Sequence, residues 1–240
     1  MIKGKKAILF DMDGTLIDSV GIWNEVDQIV IRRIANREIC LEDCRVQRDI
    51  VLRQCSSADN PYLEYCAYLK QKYSCHMAAE QILQLRVGVA EDFLANVVAY
   101  KKDVEKVLEK LKAYSLTLVV VTTTSRANMN VYRTVNKNIL AMAPLDEFFT
   151  RIYTREDAKV IKPNPEIYYK VMKELHVTPD ECLVFEDSLI GVESAINAAI
   201  EVVAMYDRHS DSERDQINAL STFQFATYAA VLNALEQEGF

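Results

Sequence analysis

Four short stretches of this chain carry acids, hydroxyls and a lysine that could work together: Asp11-Met12-Asp13-Gly14-Thr15, Thr122-Thr123-Thr124-Ser125, Lys162-Pro163-Asn164-Pro165 and Glu186-Asp187-Ser188. Each has a plain explanation when taken alone. Asp13-Gly14 reads as a turn, Glu186-Asp187 as an acid pair favoured at a helix N-terminus, and Lys162-Pro163 as a loop. If the fold brings them together, the plain explanations no longer suffice. Crowding two pairs of carboxylates is costly unless a cation neutralises them. Oxygen ligands with few positions committed suit Mg²⁺, which keeps several waters and also holds phosphate. Gly14 lets the chain turn sharply, so that neighbouring backbone N–H groups can face an anion. Acids for a metal, amides for an anion and one lysine suit a phosphoryl group.

The elements between the stretches must deliver them to one edge. Lys6 to Phe10 is a short apolar run before the Asp-Gly turn, as in a buried strand of a parallel sheet. Leu116 to Val121, Arg151 to Thr154, Cys182 to Phe185, Glu201 to Met205 and Phe223 to Phe225 read as further strands. Helices are expected at Lys102 to Tyr114, Ala127 to Ala141, Pro165 to Leu175, Gly191 to Ala199 and Tyr228 to Leu235. This alternation predicts an α/β fold, a doubly wound and mostly parallel sheet with helices on both faces. In such sheets the binding crevice lies beyond the carboxyl ends of the strands, where the chemical stretches fall. Residues 18–97 break the alternation. Trp23, Val26, Ile29, Val30 and Ile34 recur at helical spacing, more helix follows at Leu63 to Tyr73 and Ala78 to Leu94, and Ser56 to Pro61 marks a turn. The expected organisation is a core of residues 1–17 and 98–240 with a helical insertion, 18–97.

Composition removes several classes. Of 240 residues, 50% are hydrophobic and 26% charged, which excludes a disordered chain. A formal charge of −7 argues against a nucleic-acid partner, because phosphate neutralisation needs a basic face. The apolar run before Asp11 is too short for a signal peptide or a membrane span, so a cytoplasmic location is expected. Six cysteines without a CxxC pair read as reduced thiols.

The four stretches, in this order, resemble the motifs of the haloacid dehalogenase superfamily, in the branch whose helical cap is inserted after the first motif. The resemblance covers the whole chain and implies a Rossmann-like core, Mg²⁺ as cofactor and a small phosphorylated metabolite as partner. Asp11 would be the nucleophile, forming an aspartyl-phosphate. Asp13 would protonate the leaving oxygen and then activate water, and its backbone carbonyl would join the metal ligands. Asp11 and Asp187 would supply metal carboxylates, with Glu186 as a ligand or an outer partner. Lys162 would neutralise phosphate charge and steady Asp11. Thr122, or Thr123 in the other register of the Thr run, would bind a phosphate oxygen.

Two departures from the family pattern stand out: Asn164 where many relatives carry Asp, and the absence of Pro and Gly in Val97-Val98-Ala99-Tyr100-Lys101. Neither removes a reacting group. Substrate choice is expected in the cap, with Arg45, Arg48 and Arg53 as candidates for a second contact. An amphipathic helix also carries such arginines on its solvated face. Trp23 fits cap core better than a leaving-group pocket. The expected activity is phosphatase action on a sugar phosphate or a short phospho-acid, by a monomer or a weak homodimer. The alternatives are phosphotransfer of the beta-phosphoglucomutase kind and a non-catalytic protein that binds a phosphorylated ligand.

Overall fold

The computed structural model describes residues 1–55 and 60–239, except the side chain of Arg53. Most of the expected Ser56 to Pro61 turn lies outside the described residues. The chain divides into two compact units, Met1–Val20 with Val98–Phe240, and Gly21–Val97. Backbone bonds hold the two ends of the first unit together where the second interrupts it. Asp18 N donates to the Ala99 carbonyl at 3.1 Å and Lys101 N to that of Leu16 at 2.8 Å.

The first unit is built on six parallel strands: β1 (Ala7–Phe10), β2 (Thr117–Val121), β3 (Arg151–Tyr153), β4 (Cys182–Glu186), β5 (Glu201–Met205) and β6 (Phe223–Phe225). Their order is β3-β2-β1-β4-β5-β6, so the winding reverses between β1 and β4. Both faces of β1 are covered, which is why Ala-Ile-Leu-Phe is unbroken by a polar residue. Register aligns Phe10 with Val120 on one side and with Phe185 on the other. The Phe10 and Phe185 rings stack at 4.7 Å. Asp11, Val121 and Glu186 therefore lie at one level at the carboxyl ends of the strands, at the reversal point where such sheets bind ligands.

In the second unit, α1 (Ile22–Ala35), α2 (Leu41–Gln54), α3 (Pro61–Lys72) and α4 (Ala79–Asn96) pack around Val26, Val30, Tyr65, Leu69 and Ile82. At its centre the Asp27 carboxylate accepts from Arg86 Nε at 2.7 Å and Arg48 Nη1 at 2.9 Å. Arg48 Nη2 also donates to Asn24 Oδ1 at 2.9 Å.

The first unit continues with α5 (Val104–Ala113), after which the single helix expected over 127–141 proves to be two, α6 (Arg126–Thr134) and α7 (Lys137–Met142). Asn136 breaks it, its side chain capping α7 by accepting from Ile139 N at 2.8 Å. Then come α8 (Leu145–Phe148), α9 (Glu166–Leu175) and α10 (Leu189–Asn197). A 3-10 segment, Arg208–Glu213, leads into α11 (Arg214–Leu220), which the apolar pattern had not marked. The chain continues through β6 into α12 (Tyr228–Gln237), whose Tyr228 hydroxyl donates to the Thr15 carbonyl at 3.2 Å. All six cysteines are free. No helix among the described residues is long and apolar enough to cross a membrane.

Candidate active site at the carboxyl ends of the strands

Asp11 follows β1 directly, and its N–H continues the ladder to the Phe185 carbonyl at 3.0 Å. Its side chain meets Lys162, whose Nζ donates to Asp11 Oδ1 at 2.7 Å, Glu186 Oε1 at 2.8 Å and the Val121 carbonyl at 3.0 Å. All three donors of the ammonium are thus used. The Lys162–Pro163 bond is cis. Asn164 supports this loop, its Oδ1 accepting from Glu166 N at 2.9 Å.

Glu186 ends β4 and is fully engaged. Its Oε2 accepts from Asp187 N at 2.8 Å, Ser188 N at 2.9 Å and Ser188 Oγ at 3.0 Å. Gly191 makes room for it, since a Cβ there would lie 1.6 Å from Oε1. Asp187 accepts from Thr15 Oγ1 at 2.7 Å and Ser210 Oγ at 3.5 Å. Gly14 turns with φ +82°, and a Cβ on it would come within 2.3 Å of Asp187 Oδ2.

Asp11, Glu186 and Asp187 offer ligand oxygens within 4.8 Å of one another, and all three are buried. Three carboxylates against the single Lys162 ammonium leave an excess of two negative charges. Burial pushes the Asp11 carboxyl up to about 7, with Lys162 opposing the rise and Glu186 adding to it. Burial, with Glu186 and Asp11 nearby, drives Asp187 well above the carboxylate range. Burial works against the Lys162 charge, yet Asp11 and Glu186 hold it firmly protonated. The donor set is all oxygen, anionic and short of positive charge, and it fits a hard divalent cation such as Mg²⁺.

The Asp13 carboxylate is turned to a different purpose. Its Oδ1 accepts from Ser19 Oγ and from the Tyr132 hydroxyl at 3.3 Å, and its Oδ2 accepts from Thr124 Oγ1. Of the Thr run, Thr122 is buried, its Oγ1 accepting from Thr124 N at 3.1 Å, and Thr123 is half-buried. The sequence profile of the haloacid dehalogenase-like hydrolases matches residues 8–205, which span all of these groups except Ser210. The chain belongs to that family.

Its relatives in the haloacid dehalogenase-like family agree over most of their length. Protein CbbY of Rhodobacter capsulatus is 33% identical over 218 residues, covering 82% of this chain and 84% of that one. The phosphorylated carbohydrates phosphatase of Thermotoga maritima is 27% identical over 198 residues, 82% of each chain. Among solved structures, a family hydrolase from Deinococcus radiodurans with bound phosphate and sodium superimposes with a TM-score of 0.74 at 19% identity, covering 98% of this chain and 97% of that one.

Several hydroxyls in this haloacid dehalogenase-like site were not singled out from sequence. Ser19 lies six residues beyond Asp13 and Thr124 in the marked Thr run, so both were within reach of a local reading. Tyr132 and Ser210 were not, because only tertiary packing brings them to Asp13 and Asp187. In the helical unit, Arg48 is committed to Asp27 and Asn24, which removes it as a free substrate contact. Arg45 pairs with Glu42 and Asp49 on the exposed side of α2. The Arg53 side chain lies outside the described residues. Trp23, half-buried, carries the Arg86 guanidinium 5.0 Å from its ring centre within the helical unit.

Proposed function

We propose that this chain is a Mg²⁺-dependent phosphatase that hydrolyses a small phosphorylated metabolite, a sugar phosphate or a short phospho-acid, through an aspartyl-phosphate on Asp11. The observation that carries the reading is the buried trio Asp11, Glu186 and Asp187 around a single lysine. Such an anionic pocket is uneconomical for a fold and useful for a cation-assisted transfer. The name of the Thermotoga maritima relative supports the substrate class.

In this reading Asp11 and Asp187 hold the ion, with Glu186 beside them and the Asp13 carbonyl as a further ligand. When bound, the ion supplies the positive charge that lets an ionised carboxylate approach an anionic phosphate. Asp11 attacks phosphorus through a carboxylate oxygen, the bond from phosphorus to the leaving oxygen breaks, and that oxygen takes a proton from Asp13. Asp13, now ionised, removes a proton from water, which attacks phosphorus and expels the Asp11 carboxylate as phosphate departs. Lys162 keeps Asp11 oriented and offsets charge on the phosphoryl oxygens, and the Thr122 hydroxyl, or Thr123, donates to one of them.

A panel of sugar phosphates and short phospho-acids, assayed for released phosphate with Mg²⁺ and with chelator, tests the reading. Turnover is expected only with Mg²⁺, and Asp11→Asn should lower it by about 10³-fold or more. Undiminished hydrolysis in Asp11→Asn, or in chelator, refutes it. Isomerisation of a sugar phosphate without phosphate release would select the mutase chemistry.

A further inference from the structure

We infer that Thr124 and Tyr132 are positioning residues for Asp13, closing with Ser19 a cradle of three hydroxyls that fixes where its carboxylate stands. The inference rests on the phosphatase reading, in which Asp13 must serve the leaving oxygen first and the attacking water second.

Two pieces of chain supply the cradle. Ser19 comes from the loop after β1, Thr124 from the loop after β2, and Tyr132 from the second turn of α6. Between them they engage both carboxylate oxygens, Oδ1 from two donors and Oδ2 from one. A carboxylate held through one oxygen can still turn about its last torsion, whereas donors on both oxygens fix its plane. The donors are themselves fixed. Thr124 has its N–H on Thr122 Oγ1 at 3.1 Å and its carbonyl on Arg155 N at 3.1 Å. Ser125 starts α6 directly afterwards, accepting from Asn128 N at 3.3 Å, so Thr124 and Tyr132 ride on one continuous piece. Tyr132 is 1% exposed, beside Met129 on the buried face of that helix. A fully buried phenol in a small helix is a large commitment, and Asp13 is the acceptor it reaches. Misplacing a reacting group by about 1 Å costs on the order of 100-fold in rate, so orientation here controls turnover.

The test is steady-state and rapid-mixing kinetics of the Mg²⁺-loaded chain on two probes, glucose 6-phosphate and p-nitrophenyl phosphate, for Tyr132→Phe, Thr124→Val and Thr124→Ser. The sugar alkoxide needs a proton to leave, and nitrophenolate does not. Tyr132→Phe and Thr124→Val should lower kcat on glucose 6-phosphate by about 10- to 100-fold with KM held within about twofold. On p-nitrophenyl phosphate the same variants should show a burst of nitrophenolate before a slow steady state, because only the attack of water then depends on Asp13. Thr124→Ser, which keeps the hydroxyl, should recover most of the loss. Equal loss on both probes without a burst, or no loss at all, overturns the cradle. Asp11→Asn separates the two failures: a dead Asp11→Asn beside an unaffected Tyr132→Phe removes only the cradle, and a working Asp11→Asn removes the phosphatase reading beneath it.

Discussion

Each unit of the molecule buries a charged cluster, and the two are opposite in design. In the helical unit one carboxylate, Asp27, is shared by two guanidiniums, Arg48 and Arg86, and both its oxygens are bonded. Arg86 also lies 5.0 Å from the ring centres of Trp23 and Tyr62. At the sheet rim one ammonium, Lys162, faces Asp11 and Glu186 with Asp187 close by, and the acids outnumber it. In the first cluster Asp49 Oδ1, 3.6 Å from Arg48 Nε, adds a second carboxylate, so two acids meet two guanidiniums inside the protein. The second cluster has a deficit that only something from outside can make good. Burial and ion pairing alone do not mark a functional site; the sign and completeness of the balance do.

If that contrast is right, removing an acid should act in opposite directions in the two places. Asp27→Ala leaves the buried Arg86 guanidinium without its carboxylate and takes one partner from Arg48, and the chain should lose about 3 to 5 kcal/mol of stability in denaturant titration, the usual cost of breaking a buried pair. A loss below about 1 kcal/mol would mean the helical cluster is not closed. Asp187→Asn, measured in chelator, should instead raise stability, because it removes a carboxyl whose ionised form burial and the neighbouring acids disfavour. Destabilisation there would show that the rim is balanced without a cation.

The smallest effect sharpens the same contrast through pH. Burial raises Asp11 in the folded chain to about 7 from its ordinary value of 3.8, so the folded state binds its proton more tightly than the unfolded state does. Its contribution to stability is fully present below about 3.8 and is lost as pH rises through about 7. A divalent ion binds the ionised form and reverses that loss. The rise in unfolding temperature on adding Mg²⁺ should therefore grow from pH 5 to pH 8, by a few degrees, at about 2 to 4 °C per kcal/mol for a chain of this size. A shift independent of pH, or one unchanged in Asp11→Asn, would separate ion binding from Asp11.

Much of this was legible in the residues because the fold is written in short-range signals. A buried parallel strand needs an unbroken apolar run, so Ala7–Phe10 and Cys182–Glu186 are readable, and in an open parallel sheet the next residue falls on the rim. What could not be read were features settled by contacts distant along the chain. Asn136 breaks a helix whose apolar spacing continues past it, because its side chain both caps α7 and donates to the Val98 carbonyl. In the Lys162-Pro163-Asn164-Pro165 loop, Asn164 Oδ1 accepts from Glu166 N, so that departure from the family pattern costs no reacting group. Arg48 looked free on its helix because Asp27 stands 21 residues earlier. Tyr132 sits 119 residues from Asp13, with nothing in its neighbourhood to announce the partner.

The bond from Tyr228 to the Thr15 carbonyl joins residues 213 positions apart, across nearly the whole chain. Thr15 in turn holds Asp187, so the loop made early in translation is braced by a helix made late. The ribosome must pass Tyr228 before this brace can close, and until then a nascent chain carries its acids without their finished framework. The brace is thus missing through most of synthesis, arriving after most of the sheet could already have folded.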